Sequence, residues 1–415
     1  MRQYTYKNTV HACYLGYITS AIIVNLAPLF FVIFQTDFNV SFEMLGRLVL
    51  VGFGTQLLTD MFMIKFADRI GHRRAVLIAH VFCVTGFVML SVLPNTMGNA
   101  YAGILIATVI YSIGGGMIEV LISPIVDAIP GDAKAAAMSL LHSFYSWGQV
   151  LVVLVTTLVL YLIGLSLWFV LPIAWAAIPL YNFFLFRKVP LAPTVEEHER
   201  IPLKKLMLAK IFILAMLMMI CAGAAEQAMS QWASLFAEKG LQVPKVVGDL
   251  LGPCLFAVFM GIGRTVYGIK GNKINLAGAL IGSSVLCVAC YLMATLFHNP
   301  FISLIGCALC GLSVSLMWPG MLSFTSASYP KGGTAMFGVL AMCGDIGCSL
   351  GPWITGIVSD VAQRSDTVLA WGAKMGYDAE QAGLKIGLLV AIVFPLIMLA
   401  GILVMRKLAK KEATQ

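Results

Sequence analysis

Gly114-Gly115-Gly116-Met117-Ile118-Glu119-Val120-Leu121-Ile122-Ser123-Pro124 places one carboxylic acid inside a segment, 101–129, that is otherwise long and apolar enough to cross a bilayer. An acid at mid-membrane costs about 2.5–3.5 kcal/mol even on the most lenient insertion scale, so it belongs in a bundle interior or a wet cavity. On a helix, Ser112, Gly115, Gly116 and Ser123 stand at i−7, i−4, i−3 and i+4 from Glu119, forming one narrow stripe of small and polar residues. The expectation is that this stripe is a cavity wall, because small residues alone suffice for a packing seam and the acid would only add cost. The alternative is a structural acid paired with a neighbouring helix.

Working outward, similar apolar runs recur along nearly all of the 415 residues, at 10–36, 43–66, 75–95, 101–129, 136–162, 166–187, 207–236, 246–269, 275–297, 301–328, 334–361 and 383–406. The chain is 60% hydrophobic and only 11% charged, against about 25% charged in a soluble domain. An all-α polytopic membrane protein with twelve transmembrane helices is therefore expected, with almost nothing left over for a soluble domain. The longest polar, proline-containing stretch follows span six, from Arg187-Lys188-Val189-Pro190 to Lys204-Lys205. It divides the chain near its middle into a six-helix bundle over 1–189, a cytoplasmic linker over 190–206 and a second six-helix bundle over 207–415. Gly116 to Pro124 in span four and Gly311 to Pro319 in span ten share the same spacing, at matching positions of the two halves. That echo supports two pseudo-symmetric bundles related by duplication, with the site at the repeat interface. Val314 stands opposite Glu119, so the acid belongs to the first copy only.

The formal net charge of +8 is a topology signal and not a nucleic-acid one. With the N-terminus inside, only Arg47, Lys239, Lys245, Arg364, Lys374 and Lys385 of the 27 basic residues fall outside. This is the positive-inside bias, with both termini cytoplasmic. The ten cysteines all lie within expected spans, where they are not placed for secreted-type disulfides. Cys287-Cys290 and Cys307-Cys310 have zinc-like spacing, but four thiolates around Zn²⁺ would bring net negative charge into hydrocarbon. Packing is the expected role, and neither a metal nor a cofactor is expected. The polar stretch 1–10 precedes a run too long for a cleavable signal peptide.

Polar side chains within the spans mark the candidate site. On span five, His142, Tyr145, Ser146 and Gln149 share one face. Span one offers Asn25 beside Pro28, and span two carries Gln56 and Asp60. Span seven has Glu226 with Ser230 one turn on, and a second stripe of Gln227, Gln231 and Ser234 beside Trp232. Span ten carries Trp318. Span eleven places Asp345 among Gly344, Gly347 and Gly351, glycines whose simplest role is close helix approach. Glu119, Glu226 and Asp345 are the candidate proton-coupling acids, since an acid in a partly dry cavity can load and release a proton. Asn25, His142, Tyr145, Gln149, Gln227, Gln231, Trp232 and Trp318 suit a hydroxyl-rich solute, whose edges hydrogen-bond and whose ring face stacks. No Lys or Arg is expected deep in a span, Arg47 and Arg264 lying near span ends, which argues against an organic-anion carrier.

Asp68-Arg69-Ile70-Gly71-His72-Arg73-Arg74, between spans two and three, resembles the signature loop of the major facilitator superfamily, with Lys65 where a leading glycine is usual. That resemblance implies a gating role for Asp68, Arg69, Gly71, Arg73 and Arg74, latching the two halves in one state. Within the superfamily the chain is most similar to the fucose:proton symporter family of sugar permeases. The similarity rests on Ile118-Glu119-Val120-Leu121-Ile122-Ser123-Pro124, on Leu140-Leu141-His142-Ser143-Phe144-Tyr145-Ser146-Trp147-Gly148, and on Glu226 followed by Trp232. It implies that Glu119 is the protonatable acid of the fourth helix. The partner acid that some members carry on the first helix has no counterpart near Asn25 or Pro28, so coupling falls to Glu119 alone or with Glu226 or Asp345. The expected function is alternating-access import of a sugar or similar neutral polar solute, coupled to protons, by a monomer in the bacterial inner (plasma) membrane. The protein is expected to have no enzymatic activity and no nucleic-acid partner. The alternatives are a drug or lipid exporter of the same superfamily and a uniporter without proton coupling.

Overall fold

A chain whose apolar runs face lipid must close its backbone hydrogen bonds within each segment, and an α-helix is the simplest way to do so. The computed structural model describes residues 4–129, 134–192, 203–270, 275–329 and 333–412, and among these there is helix and no strand. Twelve long helices or coaxial helix runs follow in order among the described residues. They are α1 (Tyr6–Phe38), α2 (Phe42–Ile70), α3 (His72–Thr96), α4 (Ala100–Asp127), α5 (Lys134–Ile163) and α6 (Val170–Phe186), then α7 (Lys210–Gly240), α8 (Lys245–Tyr267), α9 (Leu276–Leu296), α10 (Pro300–Thr325), α11 (Gly333–Ala362) and α12 (Ala379–Leu408). Each expected span overlaps one of them. Nine helices among the described residues are long and apolar enough to cross a membrane, α6 is a shorter apolar helix, and α2 and α11 complete the set.

Local chemistry sets the helix boundaries. Asn39 closes α1 in the left-handed region (φ 54°), and the Ser41 hydroxyl accepts from the Met44 N–H 3.2 Å away to open α2. Gly71 (φ 83°) makes the bend between α2 and α3, a conformation costly to any residue with a β-carbon. Asn275 and Asn299 cap α9 and α10, and Asp378 with Gln381 forms a reciprocal capping box before α12. Prolines break the spans from within. Pro28 lies in a 3₁₀ turn over Ala27–Phe30 of α1, and α10 is interrupted between Val314 and Met317, where the Pro319 ring would crowd the Ser315 carbonyl. The equivalent stretch of α4 stays helical through Pro124, so the two copies of the Gly-to-Pro element differ in backbone as well as in charge.

The described chain divides into two compact units, Met1–Val40 with Val51–Glu196, and Ser41–Leu50 with Glu197–Gln415. In the first, α3 and α4 pack most extensively, and a β-carbon on Gly114 would sit 2.7 Å from the Ala79 carbonyl oxygen. In the second, α7 and α11 form the main seam. Gly347 lies against the Ile220 carbonyl, Gly223 against that of Gly344, and a β-carbon on Gly351 would approach the Ala224 oxygen to 2.6 Å. The α11 glycines thus hold two backbones in direct contact, the role expected of small residues between membrane helices. Gly347→Leu is expected to cost about 1–3 kcal/mol through overpacking, read as a lowered unfolding temperature in detergent.

Lys385, assigned outside by the charge count, is only 1% exposed. Its ammonium donates to the Thr295 and Phe297 carbonyls (3.3 and 3.1 Å) at the C-terminal end of α9 and lies 4.9 Å from the Tyr377 ring centroid. A helix C-terminus and an aromatic face together compensate the buried charge. Cys287 and Cys310 pack with their sulfurs 3.9 Å apart between α9 and α10, and among the described residues no group of three or more His, Cys, Asp or Glu could hold a metal ion.

Candidate functional site

In the first unit, α1 packs against both α4 and α5, which gathers the residues singled out on those three helices. Glu119 is half-buried on α4. The small-residue stripe that precedes it serves a different purpose from the one expected. A β-carbon on Gly115 would lie 2.7 Å from the Gln56 amide nitrogen, and one on Gly116 would lie 2.8 Å from an Asp60 carboxylate oxygen. The stripe up to Gly116 is therefore a packing seam that receives polar side chains of α2, and the cavity-wall reading is corrected to that extent. The Ser123 side chain is outside the described residues. Asp60, only 4% exposed, is a buried acid one turn from the level of Glu119, and its spacing of four from Gln56 was the signal for a shared polar face.

The polar face of α5 grades along its length. His142 is exposed, Tyr145 half-buried, and Ser146 and Gln149 fully buried. The His142 ring meets Tyr17 of α1 edge-on at 5.0 Å, and Phe144 stacks on Tyr14 at 4.0 Å. Asn25 is buried, and its amide donates to the Ala21 carbonyl (2.9 Å) just before the 3₁₀ turn of α1. This unit can thus offer an acid, amides and hydroxyl groups from three adjoining helices.

At the loop after α2, the side chains of Asp68 and Arg69 are outside the described residues. Arg74 is exposed. Arg73 reaches within its own unit, donating to the Phe186 and Val189 carbonyls at 2.6 and 2.7 Å. Those carbonyls end α6 and lack helical partners, so the guanidinium caps that terminus and complements its dipole. Arg73→Ala is expected to lower stability by on the order of 2 kcal/mol, the size of charge-assisted hydrogen bonds, measured by thermal unfolding of the purified protein.

In the second unit, Glu226 is buried on α7 and bonded to Arg264 of α8. One guanidinium nitrogen lies 3.1 and 3.4 Å from its two carboxylate oxygens. The expectation that no basic side chain lies deep is thereby corrected: Arg264 leaves the backbone toward the end of α8, and its long stem carries the charge inward to Glu226. Gln231 donates to Gln227 at 3.0 Å, both buried. Trp232 is fully buried, with its indole N–H on the Pro352 carbonyl (3.0 Å) and Phe42 edge-on at 5.9 Å, so in this structure it packs the α7–α11 seam. Trp318 is half-buried with its ring against Gly344, next to Asp345, which is 3% exposed. Beyond the expected residues, Asp249 is fully buried between the Lys245 ammonium (3.0 Å) and the Ser234 hydroxyl. Near Ser41 a pocket of about 600 Å³ is lined by Glu43, Asp360, Arg364 and neighbours, and the Asp360 carboxylate accepts from the Glu43 N–H at 2.8 Å. None of the candidate proton-coupling, substrate-binding or gating residues named from the sequence lines that pocket.

A family model described as "Major Facilitator Superfamily" matches residues 13–352. A comparison with curated proteins returned no match. Among solved structures, the chain is similar to a bacterial homologue of the human lysosomal transporter Spinster in an inward-facing, occupied conformation (TM-score 0.74, 15% identity, 98% of each chain covered). It is similar to a D-xylose–proton symporter (TM-score 0.71, 14% identity, 94% of this chain and 95% of that one). It is also similar to a single-substitution variant of the E. coli fucose:proton symporter FucP (TM-score 0.65, 16% identity, 97% of this chain and 99% of that one). At these identities the likeness concerns the fold, while the family model spans most of the sequence: the chain belongs to the major facilitator superfamily of membrane transporters.

Proposed function

We propose that the protein is a secondary active transporter that imports a sugar or similar neutral polar solute by alternating access of its two units, coupled to proton entry. The observation that carries this reading is Glu119, half-buried on an otherwise apolar helix beside the helices that bear Asn25 and Gln149. An acid that is neither in bulk water nor sealed away can exchange a proton with one side, and neutralising it lowers the cost of moving it between wet and dry surroundings. Amide and hydroxyl groups nearby would bind hydroxyl-bearing cargo by hydrogen bonds, which are most selective where water is excluded. The structural likeness to a fucose:proton and a xylose–proton symporter supports the same class of cargo. Asp345 and Glu226 are proposed as further members of the proton pathway, and both termini are proposed to be cytoplasmic.

The test is ligand-dependent stabilisation of the purified protein by monosaccharides, glycosides and polyols, followed by proton-driven uptake of any binder in liposomes. A ligand at one hundred times its Kd stabilises the folded state by about 2.7 kcal/mol, enough to shift the unfolding temperature visibly. A panel in which no hydroxyl-rich solute shifts unfolding would remove the basis for a sugar-like cargo.

A further inference from the structure

The Glu226–Arg264 pair brings a permanent positive charge into the second unit, where the sequence offered only acids. We propose that Arg264 is an anion-recognition residue, and that the cargo extends to monocarboxylate relatives of the sugar-like solute, such as a sugar acid, each entering with one proton more than a neutral solute does. The proposal rests on the transport reading above and adds the chemical class of a cargo that neutral sugars do not represent.

The geometry carries it in three steps. First, the pair is held through one guanidinium nitrogen, at 3.1 and 3.4 Å, and not in the two-nitrogen fork that best matches a carboxylate. A carboxylate free to orient itself can form that fork, so it competes with Glu226 on geometric terms. Second, the Arg264 side chain is 16% exposed and that of Glu226 8%, so the cation is the more open partner. Third, a dry site tolerates little net charge. Glu226 as carboxylate with Arg264 sums to zero. A cargo carboxylate on Arg264 restores zero only if Glu226 takes up a proton. The exchange thus binds one proton and one anion together, and the carrier crosses with its buried charge unchanged. Ser230, one turn beyond Glu226 on α7, lies on the same helix face for the cargo's hydroxyl groups.

The other charged groups on elements packed against α7 are largely committed. Asp249 and Lys245 pair with each other, Lys385 is held by carbonyls at the end of α9, and Asp360 accepts from the Glu43 N–H. Asp345 on α11 is a further acid of this unit, with Cys343 and Cys348 near it in sequence, Tyr291 on α9 and Cys307 and Cys310 on α10. Tyr291 donates to the Ala225 carbonyl (2.8 Å), and Glu238 lies three turns beyond Glu226. Arg406 and Lys407 stand at the far end of α12. Among the described residues, Arg264 is the charged partner of Glu226.

The experiment uses the full chain, purified and reconstituted, with glucuronate and gluconate as acidic probes and glucose as the neutral one. Binding is read by thermal shift between pH 6 and pH 8, and uptake under an imposed potassium diffusion potential. Wild type is expected to bind a sugar acid more tightly as pH falls and, because the proton on Glu226 cancels the acid's charge, to take it up with the same dependence on potential as glucose. The double variant Glu226→Gln/Arg264→Gln removes both charges together and so keeps the interior neutral. In it the ratio of acid to neutral affinity is expected to fall at least tenfold, with Arg264→Lys intermediate because an ammonium lacks the fork. An unchanged ratio in the double variant, or acid uptake that depends on the potential differently from glucose uptake, overturns the proposal. If wild type binds glucose and neither acid, this inference fails while the sugar reading stands. If it binds none of the three, the sugar reading fails and this inference with it.

Discussion

Replacing Glu226 alone with leucine is expected to cost about 3–5 kcal/mol of stability, while the double change Glu226→Leu/Arg264→Met is expected to cost far less and can even stabilise. The asymmetry follows from where the charges sit. Both side chains are largely withdrawn from solvent, 8% and 16% exposed, so each charge has lost hydration that only its partner replaces. Removing the acid leaves a guanidinium that cannot discard its proton, because arginine stays charged at any pH a protein survives. The lone cation must then drag water inward or pull away from its helix, and either response disrupts α8 against its neighbours. Removing both partners with apolar groups of similar volume abolishes the desolvation cost together with the attraction. A double-mutant cycle on unfolding temperatures of the purified protein measures the difference. Equal losses in the single and double variants would mean that the contact is incidental to the unit's stability.

That pair also marks the limit of what the sequence could reveal. Helix positions were legible because a lipid-facing chain has so few ways to satisfy its backbone, and each apolar run accordingly became a helix. The glycines of α11 were legible for a similar reason, since spacing alone puts Gly344, Gly347 and Gly351 on one face. Depth was less readable. A residue's place along a helix fixes its Cα to within a turn, but the arginine stem spans more than a turn, so Arg264 reads as terminal while its charge lies beside Glu226. Lys385 misled in the same way, its ammonium turning inward to the end of α9. The stripe at Ser112, Gly115 and Gly116 failed differently. Small residues admit either a cavity or a neighbour, and the choice depended on the polar side chains of α2 that fill the space, which no local pattern in α4 encodes. Trp232 and Trp318 carry the same ambiguity, because an indole can stack on cargo or fill a seam. Trp232 in this structure does the latter.

Glu119→Gln is expected to abolish proton-driven accumulation of neutral cargo while leaving exchange of cargo across the membrane intact. One proton entering with each neutral solute transfers about 2.3 kcal/mol per 100 mV of membrane potential, which supports roughly fifty-fold accumulation. Glutamine keeps the shape and a hydrogen-bonding carbonyl but carries neither a removable proton nor a charge. It therefore resembles the loaded acid permanently. A carrier held in that state can still reorient with cargo, so counterflow between equal pools persists, yet no proton is released inside and the gradient does no work. Accumulation is expected to fall from about fifty-fold to about one under the same potential. The corresponding changes at Glu226 and Asp345 sort the remaining possibilities. If accumulation survives in Glu119→Gln but vanishes in Asp345→Asn, the coupling acid lies in the second unit. Should all three single variants still concentrate cargo, none of these acids couples transport, and another titratable group or ion carries the coupling.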